Sequence, residues 1–326
     1  MNIRKIGLTA LAGSLVASTA YAGEMTITGS AKFSYKDQEA ALVASPYAMD
    51  QELTAAGSAE LDNGMTVSVS HALTSTGSGS ATSSISLNMG DMGTLKYSDT
   101  DIGGGLKALD DVTPTAYEEV FDGLTGAVQA AAGNGAGFSW GTSVGGAAVS
   151  IAYSDNYNAT ATRSDGSADT TSAAASSSHS IGVTYPVADT GLTIYGGVGT
   201  EGQNDSTEID HTTIGVKYAY GPVTVGMQVN DEDNSAADNT VAADEDLETT
   251  AVGISFMVND NLSISYGENT TESTATGAVD QELEGMSIAY SMGGITISAY
   301  DHEGTAISNV SGSNIDSQEI LVSFAF

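Results

Sequence analysis

Apolar and polar residues alternate along many short runs of this chain. In the run MTITGSAKFSYK, residues 25–36, methionine, isoleucine, phenylalanine and tyrosine fall at odd positions, whereas threonine, serine and lysine fall at even positions. A period of two is that of a β-strand with one apolar and one polar face. The polar positions of these runs hold mostly Ser, Thr, Gly, Ala and Asn, which are too small and too polar to fill the layer between two stacked sheets. The pattern therefore predicts strands whose polar face meets water.

The alternation recurs in about 16 runs of roughly 7 to 13 residues, a length that brackets what a tilted strand needs to cross an outer membrane. Beyond the first 22 residues, no segment reaches the length of an apolar membrane helix. The predicted strands lie near residues 24–36, 52–62, 64–75, 82–90, 93–99, 136–144, 146–156, 178–186, 191–201, 208–219, 222–231, 247–258, 261–271, 281–292, 294–303 and 314–326.

The connections between these runs alternate in length. Short turns at 62–64, 90–93, 145–146, 187–190, 221–222, 259–261 and 293–294 are rich in Gly and Asn, which accept positive φ in tight hairpins. Long connections lie between them, at 37–51, 75–81, 100–135, 157–177, 202–207, 232–246, 272–280 and 304–313. Short turns on one side and long loops on the other are typical of an outer-membrane barrel, with the turns facing the periplasm. In hydrocarbon an open sheet edge leaves unpaired amides, so the first and last strands are expected to pair.

The longest connection, 101–134, contains apolar residues that a disordered tail would lack, so we expect it to fold against another part of the chain. We predict that it folds into the lumen of the barrel, where its acids narrow and charge a pore. The predicted acidic constriction residues are Asp110, Asp111, Glu118, Glu119 and Asp122. The basic residues of the polar phases, which we assign to the opposite pore wall, are Lys32, Lys36, Lys96 and Lys217. A solvated lumen face is the alternative role for these lysines.

Two further groups of side chains stand out on the apolar phases. The second predicted strand carries small residues there, which gain little against lipid but allow another barrel to approach closely; we assign Leu53, Ala55, Gly57 and Ala59 to a trimer contact. Aromatic residues lie close to the short turns, as an interfacial girdle requires. The predicted girdle comprises Tyr185, Tyr218, Tyr220, Tyr290, Phe324 and Phe326, with plain sheet packing as the alternative.

The N-terminus reads as a secretory signal peptide over residues 1–22. Arg4 and Lys5 precede a short apolar run, and Ala20-Tyr21-Ala22 is a small-x-small cleavage pattern. We therefore expect two segments, the signal peptide and a barrel spanning residues 23–326. The formal net charge of the whole chain is −33, which excludes nucleic acid as a natural partner because phosphate binding needs Lys and Arg. The chain has no cysteine, so an exported protein of this kind must rely on hydrogen-bonded sheet and packing.

No catalytic or cofactor motif stands out. The four histidines are scattered without ligand spacing, and no nucleophile elbow, phosphate loop or paired catalytic carboxylate is present, so we predict neither an enzyme nor a metal site. Clusters of carboxylates in the long connections could bind calcium, which takes six to eight oxygens, but they lack the spaced pattern of a calcium-binding loop. We interpret these acids as a solvent-exposed face. They are Asp231, Glu232, Asp233, Asp244, Glu245 and Asp246. No cofactor is expected.

Three sequence segments resemble the classical Gram-negative general porins, especially the 16-stranded kind of alphaproteobacteria. They are the opening strand GEMTITGSAKFSY, the segment GTLKYSD from Gly93 to Asp99, and the terminal QEILVSFAF that ends at Phe326. The resemblance implies a third extracellular loop that enters the barrel, trimeric association, and recognition of the terminal Phe by the assembly machinery. Porins of this family usually set several wall arginines against the loop acids, whereas the predicted strands here contain none. We therefore expect a weaker basic wall and a cation-preferring pore.

Together these observations predict an outer-membrane channel for passive diffusion of small hydrophilic solutes and ions. Its partners would be outer-membrane lipid, two further copies of the chain, and small solutes and cations. The alternatives are a channel that selects one substrate, and a soluble acidic surface-layer protein of stacked β-structure. A soluble protein would leave membranes with chelator or urea, whereas a barrel needs detergent.

Overall fold

A computed structural model describes residues 25–38, 45–74, 82–100, 102–110, 112–127, 136–156, 176–204, 207–234 and 246–326. The predicted signal peptide and Asp111 lie outside these residues. Short 3₁₀ helices occur at Gly90–Met92, Gly105–Leu109 and Ile307–Asn309. The strands are β1 (Met25–Gln38), β2 (Tyr47–Glu60), β3 (Thr66–Thr74), β4 (Thr82–Asn88), β5 (Thr94–Ser98), β6 (Gly137–Val144), β7 (Ala147–Asn156), β8 (Ser176–Val187), β9 (Leu192–Asn204), β10 (Thr207–Tyr220), β11 (Val223–Asn234), β12 (Leu247–Asn259), β13 (Leu262–Ser273), β14 (Gln281–Met292), β15 (Ile295–Thr305) and β16 (Ile315–Ala325).

The strands form one closed antiparallel barrel in which every strand pairs with its neighbours in sequence and β1 also pairs with β16. At this seam Ala31 lies opposite Phe324. Just beyond it, Gly29 and Phe326 exchange two backbone hydrogen bonds, of 2.7 and 3.0 Å. Closure leaves no strand edge without a partner, as the cost of unpaired amides in hydrocarbon requires. The predicted fold class, a 16-stranded antiparallel barrel, is confirmed.

The predicted strands correspond to the observed ones, and the differences lie mainly at the strand ends. The largest difference is in β2, which begins at Tyr47 rather than near residue 52. The sequence assigned residues 47–51 to a long connection, and that assignment was wrong. These residues continue the ladder with β1, where Tyr47 lies opposite Tyr35 and Asp50 opposite Lys32. Pairing with an existing strand therefore extends β2 through a stretch that contains one acid, Asp50, and only weak apolar alternation.

Each strand has an exposed apolar face and a more covered polar face. In β11 the side chains of Val225 and Met227 are 41% and 44% exposed, whereas Gln228 is only 2% exposed. The apolar face is continuous from strand to strand, since Val225 lies opposite Tyr218 in β10 and Ile254 in β12. The usual inside-outside distribution of a water-soluble protein is therefore reversed over most of the barrel surface.

The buried apolar side chains lie chiefly where the segment between β5 and β6 meets the polar faces of the strands. This segment, residues 102–127 without Asp111, is called the inserted segment below. One cluster joins Leu106 and Leu109 to Tyr195 of β9. A second joins Val120 and Leu124 to strand β14 and to the connection after β15, through Leu283 and Ile307. In the described part of the chain, no helix has the length and apolar character needed to span a membrane.

Candidate functional site

The first half of the inserted segment is bound to strands β6 to β9 by hydroxyl groups. The backbone N–H groups of Gly105 and Leu106 donate to the side-chain oxygens of Ser150 and Ser180, at 2.9 and 3.1 Å. Ser139 donates to the carbonyl oxygen of Ile102 at 3.3 Å. Backbone amides without a helical or strand partner need such acceptors when they are covered. The small polar residues of these strands therefore serve as attachment points.

Glycine allows the 3₁₀ helix Gly105–Leu109 to lie close to the wall. A Cβ atom added to Gly197 would lie 2.7 Å from Leu106 Cδ2, and one added to Gly182 would overlap the carbonyl oxygen of Gly105. Side chains at either position would push the helix away. Farther along, Gln228 of β11, which is itself buried, donates its side-chain amide to the carbonyl oxygen of Leu109 at 2.9 Å.

The middle of the inserted segment is held by a pair of serines on β13 and β14. Ser265 accepts a hydrogen bond from the Ala116 N–H at 2.9 Å, and Ser287 accepts one from the Tyr117 N–H at 3.1 Å. The two serine oxygens are 2.6 Å apart, and the Thr115 hydroxyl lies 3.3 and 3.2 Å from them. This network fixes the backbone immediately before Glu118 and Glu119.

The end of the inserted segment is tied to β1 and to the connection after β15. Lys36 donates its ammonium group to the carbonyl oxygen of Gly123 at 3.1 Å. Thr125 donates to the side chain of Gln38 at 3.0 Å, and Ser308 donates to the carbonyl oxygen of Gly126 at 2.6 Å. Together with the earlier contacts, these bonds make the inserted segment touch widely separated strands, all on their polar faces.

The predicted constriction acids occupy different environments. Asp122 is exposed, and Glu118 is half-buried beside Tyr117. Glu119 is half-buried and accepts a hydrogen bond from the Thr113 hydroxyl at 2.6 Å. Asp110 forms an ion pair with Lys107. Lys107 was not among the predicted residues, although a lysine three residues before an acid on a helical turn is a recognisable pair.

Each predicted wall lysine lies on the polar face of its strand, in the phase that the alternation predicts. Two of them face carboxylates that the sequence analysis missed: Lys32 lies directly opposite Asp50, and Lys36 directly opposite Glu319. Directly opposite residues in an antiparallel pair place their Cβ atoms about 4.5–5.5 Å apart. The other two, Lys96 and Lys217, have uncharged residues opposite them on both neighbouring strands. The alternation of apolar and polar residues in β16 is enough to place Glu319 on the polar face from the sequence.

A column of stacked rings, which was not predicted from the sequence, lies beside the inserted segment. The ring centroids of Tyr117 and Tyr300 are 6.1 Å apart with 25° between their planes, and those of Tyr300 and His302 are 4.2 Å apart with 18° between their planes. Burial, followed by the negative charges of Glu319 and Glu118, raises the pKa of Tyr117 above its usual value. The Tyr117 hydroxyl therefore stays protonated at neutral pH. The alternation of β15 places Tyr300 and His302 on its polar face.

The residues assigned to the girdle and to the trimer contact lie on the apolar face. In β2, Leu53 is 46% exposed, and a Cβ atom added to Gly57 would meet no atom within 4 Å. Trp140, also on an apolar face, donates its indole N–H to the carbonyl oxygen of Met92 at 2.9 Å. The girdle residues Tyr185, Tyr218, Tyr220, Tyr290, Phe324 and Phe326 are all exposed. Among the described residues, no group of three or more acidic or histidine side chains is arranged to hold a metal ion.

A closed barrel with an apolar exposed face and a polar face that holds a folded segment defines a transmembrane β-barrel channel. Residues 7–301 match the Gram-negative porin family, and the chain belongs to that family. Family and fold point to an outer-membrane porin channel rather than to an enzyme. The chain matches none of the curated proteins.

Solved structures show the same fold. An anion-selective porin from Comamonas acidovorans aligns with a TM-score of 0.67 at 13% identity, covering 93% of this chain and 100% of that chain. A loop-deletion mutant of OmpT, an outer-membrane protein of Vibrio cholerae, aligns with a TM-score of 0.67 at 10% identity, covering 93% and 99%. A mutant of the Rh. blastica porin aligns with a TM-score of 0.62 at 14% identity, covering 93% and 100%.

Proposed function

We propose that this porin is a passive-diffusion channel for small hydrophilic solutes, that the inserted segment lies inside its lumen, and that the pore prefers cations. The observation that carries the proposal is the set of contacts of the inserted segment. It binds Ser150 and Ser180 on one part of the wall, Ser265 and Ser287 on another, and Lys36 on β1. A segment attached to the polar faces of such distant strands narrows the space between them.

The cation preference rests on how the fixed charges are distributed. Lys32 and Lys36 each face a carboxylate across the strand pair, which offsets most of their positive field at a distance. The ion pair of Lys107 and Asp110 is likewise neutral overall. Glu118, Glu119 and Asp122 add three carboxylates to the inserted segment, and rings or rows of acids favour cations in pores. At 13% identity, the anion-selective Comamonas porin is similar in fold alone, so selectivity is argued from the charges of this chain.

A salt-gradient measurement tests this proposal. The purified protein, reconstituted in a planar bilayer between two concentrations of KCl, should give a reversal potential of the sign set by K⁺. Sugars of graded size added to both sides should reduce conductance until they become too large to enter. A reversal potential of the sign set by Cl⁻ would contradict the cation preference, and conductance insensitive to every sugar would contradict the open pore.

We further propose that residues 1–22 are removed on export and that the channel assembles as a homotrimer through the apolar face of β2. Two features of that face support the trimer. Ala55 and Gly57 leave space for close approach, and Ala55 lies opposite His71 of β3. His71 shares a hydrogen bond of 2.8 Å with the Ser83 hydroxyl, also on the apolar face. A histidine–serine pair is poorly suited to hydrocarbon and better suited to a protein contact.

A further inference from the structure

The inserted segment and the last two strands bring two tyrosines and two carboxylates together. These are Tyr117, Glu118, Tyr300 and Glu319, called the tyrosine–glutamate cluster below. Tyr117 stacks with one face towards Tyr300, at a centroid distance of 6.1 Å, and remains only half-buried. The Glu319 carboxylate lies near both phenols, and Glu118 follows Tyr117 in the chain. Glu118 and Glu319 are both half-buried, so the cluster has an accessible side.

Each phenol of this cluster interacts with a carboxylate, Tyr117 with Glu118 and Tyr300 with Glu319. A phenol has one O–H donor and an ionised carboxylate has only acceptors. The Tyr300 hydroxyl also lies 3.4 Å from the Ser317 oxygen, within a buried contact. Lys36 is opposite Glu319 in register, but its ammonium group donates to the Gly123 carbonyl oxygen. Two carboxylates and the ammonium group of Lys36 give these groups together a net negative charge beside the half-buried ring of Tyr117.

We propose that the tyrosine–glutamate cluster binds compact organic ammonium ions as they pass the pore, an inference that rests on the channel function proposed above. The ammonium group lies over the ring of Tyr117, where the negative face of the π-system attracts a cation. Its N–H groups donate to the carboxylates of Glu118 and Glu319, as charge-assisted hydrogen bonds do. The adjoining alkyl group contacts the remaining ring edge. The cluster therefore recognises a class of solute, charged amines, in preference to neutral alcohols of the same size.

Binding can be measured separately from conductance. Saturation-transfer NMR titrations of the purified full chain in detergent would use n-propylammonium, with 1-propanol as the neutral isostere. We expect saturable binding of the amine and none of the alcohol over the same range. Tyr117→Leu should weaken amine binding about threefold or more, whereas Tyr117→Phe, which keeps the ring, should retain most of it. Glu118→Gln and Glu319→Gln should each weaken binding by a similar factor.

Two matched controls test whether the effect is local. Tyr153→Leu removes a tyrosine from the apolar face of β7, and Glu60→Gln removes a carboxylate from the polar face of β2. Both should bind the amine as the unmodified chain does. Heat-modifiable migration on gels shows that each barrel is folded, and the Tyr117→Phe variant keeps the test decisive if Tyr117→Leu does not fold.

The outcomes separate this inference from the channel function. Equal binding of amine and alcohol, or equal amine binding by Tyr117→Leu and Tyr153→Leu, would overturn the inference while normal conductance steps left the channel function intact. Weakening by Glu60→Gln as large as that by Glu319→Gln would also overturn it, since general charge would then explain the binding. Absence of conductance steps from the unmodified protein would contradict the channel function, and the inference would fail with it.

Discussion

Thr115 and Ser287 are 172 residues apart in the chain, yet their hydroxyl oxygens lie 3.2 Å apart. The contact joins the middle of the inserted segment to β14. Ser287 also accepts the Tyr117 N–H, so one serine side chain helps to fix both the path of the backbone and the orientation of a ring at the proposed constriction. The path of the inserted segment therefore depends on hydroxyl groups of the barrel wall.

Removing the two serines that hold the middle of the segment should loosen it. A typical hydrogen bond contributes about 0.5–1.5 kcal/mol, so Ser265→Ala together with Ser287→Ala should increase open-channel current noise and flicker, with little effect on barrel stability. Ser263→Ala, on the same face of β13, is the control. Single-channel recordings that show equal noise in both variants would mean that the segment is held elsewhere.

Crowding the first half of the segment should cost stability. Gly197→Ala adds a methyl group that would overlap the carbonyl oxygen of Ile181 and lie 2.7 Å from Leu106 Cδ2, and overpacking of this kind typically costs about 1–3 kcal/mol. We expect a lower midpoint of heat-induced unfolding on gels. Gly141→Ala is the matched control, because a Cβ atom there meets its nearest neighbour at 3.9 Å. Equal midpoints for the two variants would contradict the close packing around Gly197 on this wall.

The two faces of β11 should respond oppositely to a charge. Val225→Arg places a cation on the apolar face and should cost about 2–4 kcal/mol if it lies near the bilayer midplane, so folding into lipid vesicles should fail or slow. Thr224→Arg, one residue away on the polar face, should fold and alter conductance. The folded fraction after reconstitution measures both, and equal tolerance of the two arginines would contradict the assignment of the faces.

Neutralising the acids of the inserted segment should reduce cation preference. Changing five acids together to amides removes five negative charges, so the reversal potential in a KCl gradient should move towards zero. These acids are Asp110, Asp111, Glu118, Glu119 and Asp122. Lys107→Met combined with Asp110→Asn removes an ion pair without changing net charge, and this control should leave the potential close to that of the unmodified channel. An unchanged potential in the five-fold variant would assign selectivity to other connections.

Filling the small apolar face of β2 should weaken oligomers. Ala55→Leu with Gly57→Leu adds bulk where an added Cβ at Gly57 meets open space, so the barrel should still fold while close approach of a second copy is blocked. Unheated gels and light scattering in detergent measure the oligomer. Val198→Leu, on the apolar face of β9, is the control. An oligomer that survives the β2 changes unaltered would place the subunit contact on another face.

Much of the fold could be predicted because the period of two repeats in every strand. The alternation assigned a face to Val225 and Lys217 and located all sixteen strands. An even number of strands, joined by connections that alternate between short and long, indicated a closed barrel. Pattern alone could not find the first residues of β2, because Asp50 and Gln51 lack apolar contrast and join the sheet by pairing with β1. Strand ends depend on a partner as much as on their own residues.

Less of the candidate site could be predicted. Periodicity gives the face of Glu319 but not that Lys36 lies opposite it, since register between the first and last strands follows only from closure. The stack of Tyr117 on Tyr300 depends on the path of the inserted segment, which serines and glycines of remote strands determine. No local sequence pattern carries that information.

The attachment of the inserted segment has a consequence for assembly. Its far end is held by Lys36 and Gln38 of β1 and by Ser308 in the connection between β15 and β16, so the anchors come from both sides of the seam. A barrel in which β1 and β16 have not yet paired therefore contains hairpins but lacks some of the contacts that hold the inserted segment. In the proposed channel the pore reaches its final diameter only when the first and last strands meet, so a partly assembled barrel would not yet be selective among ions.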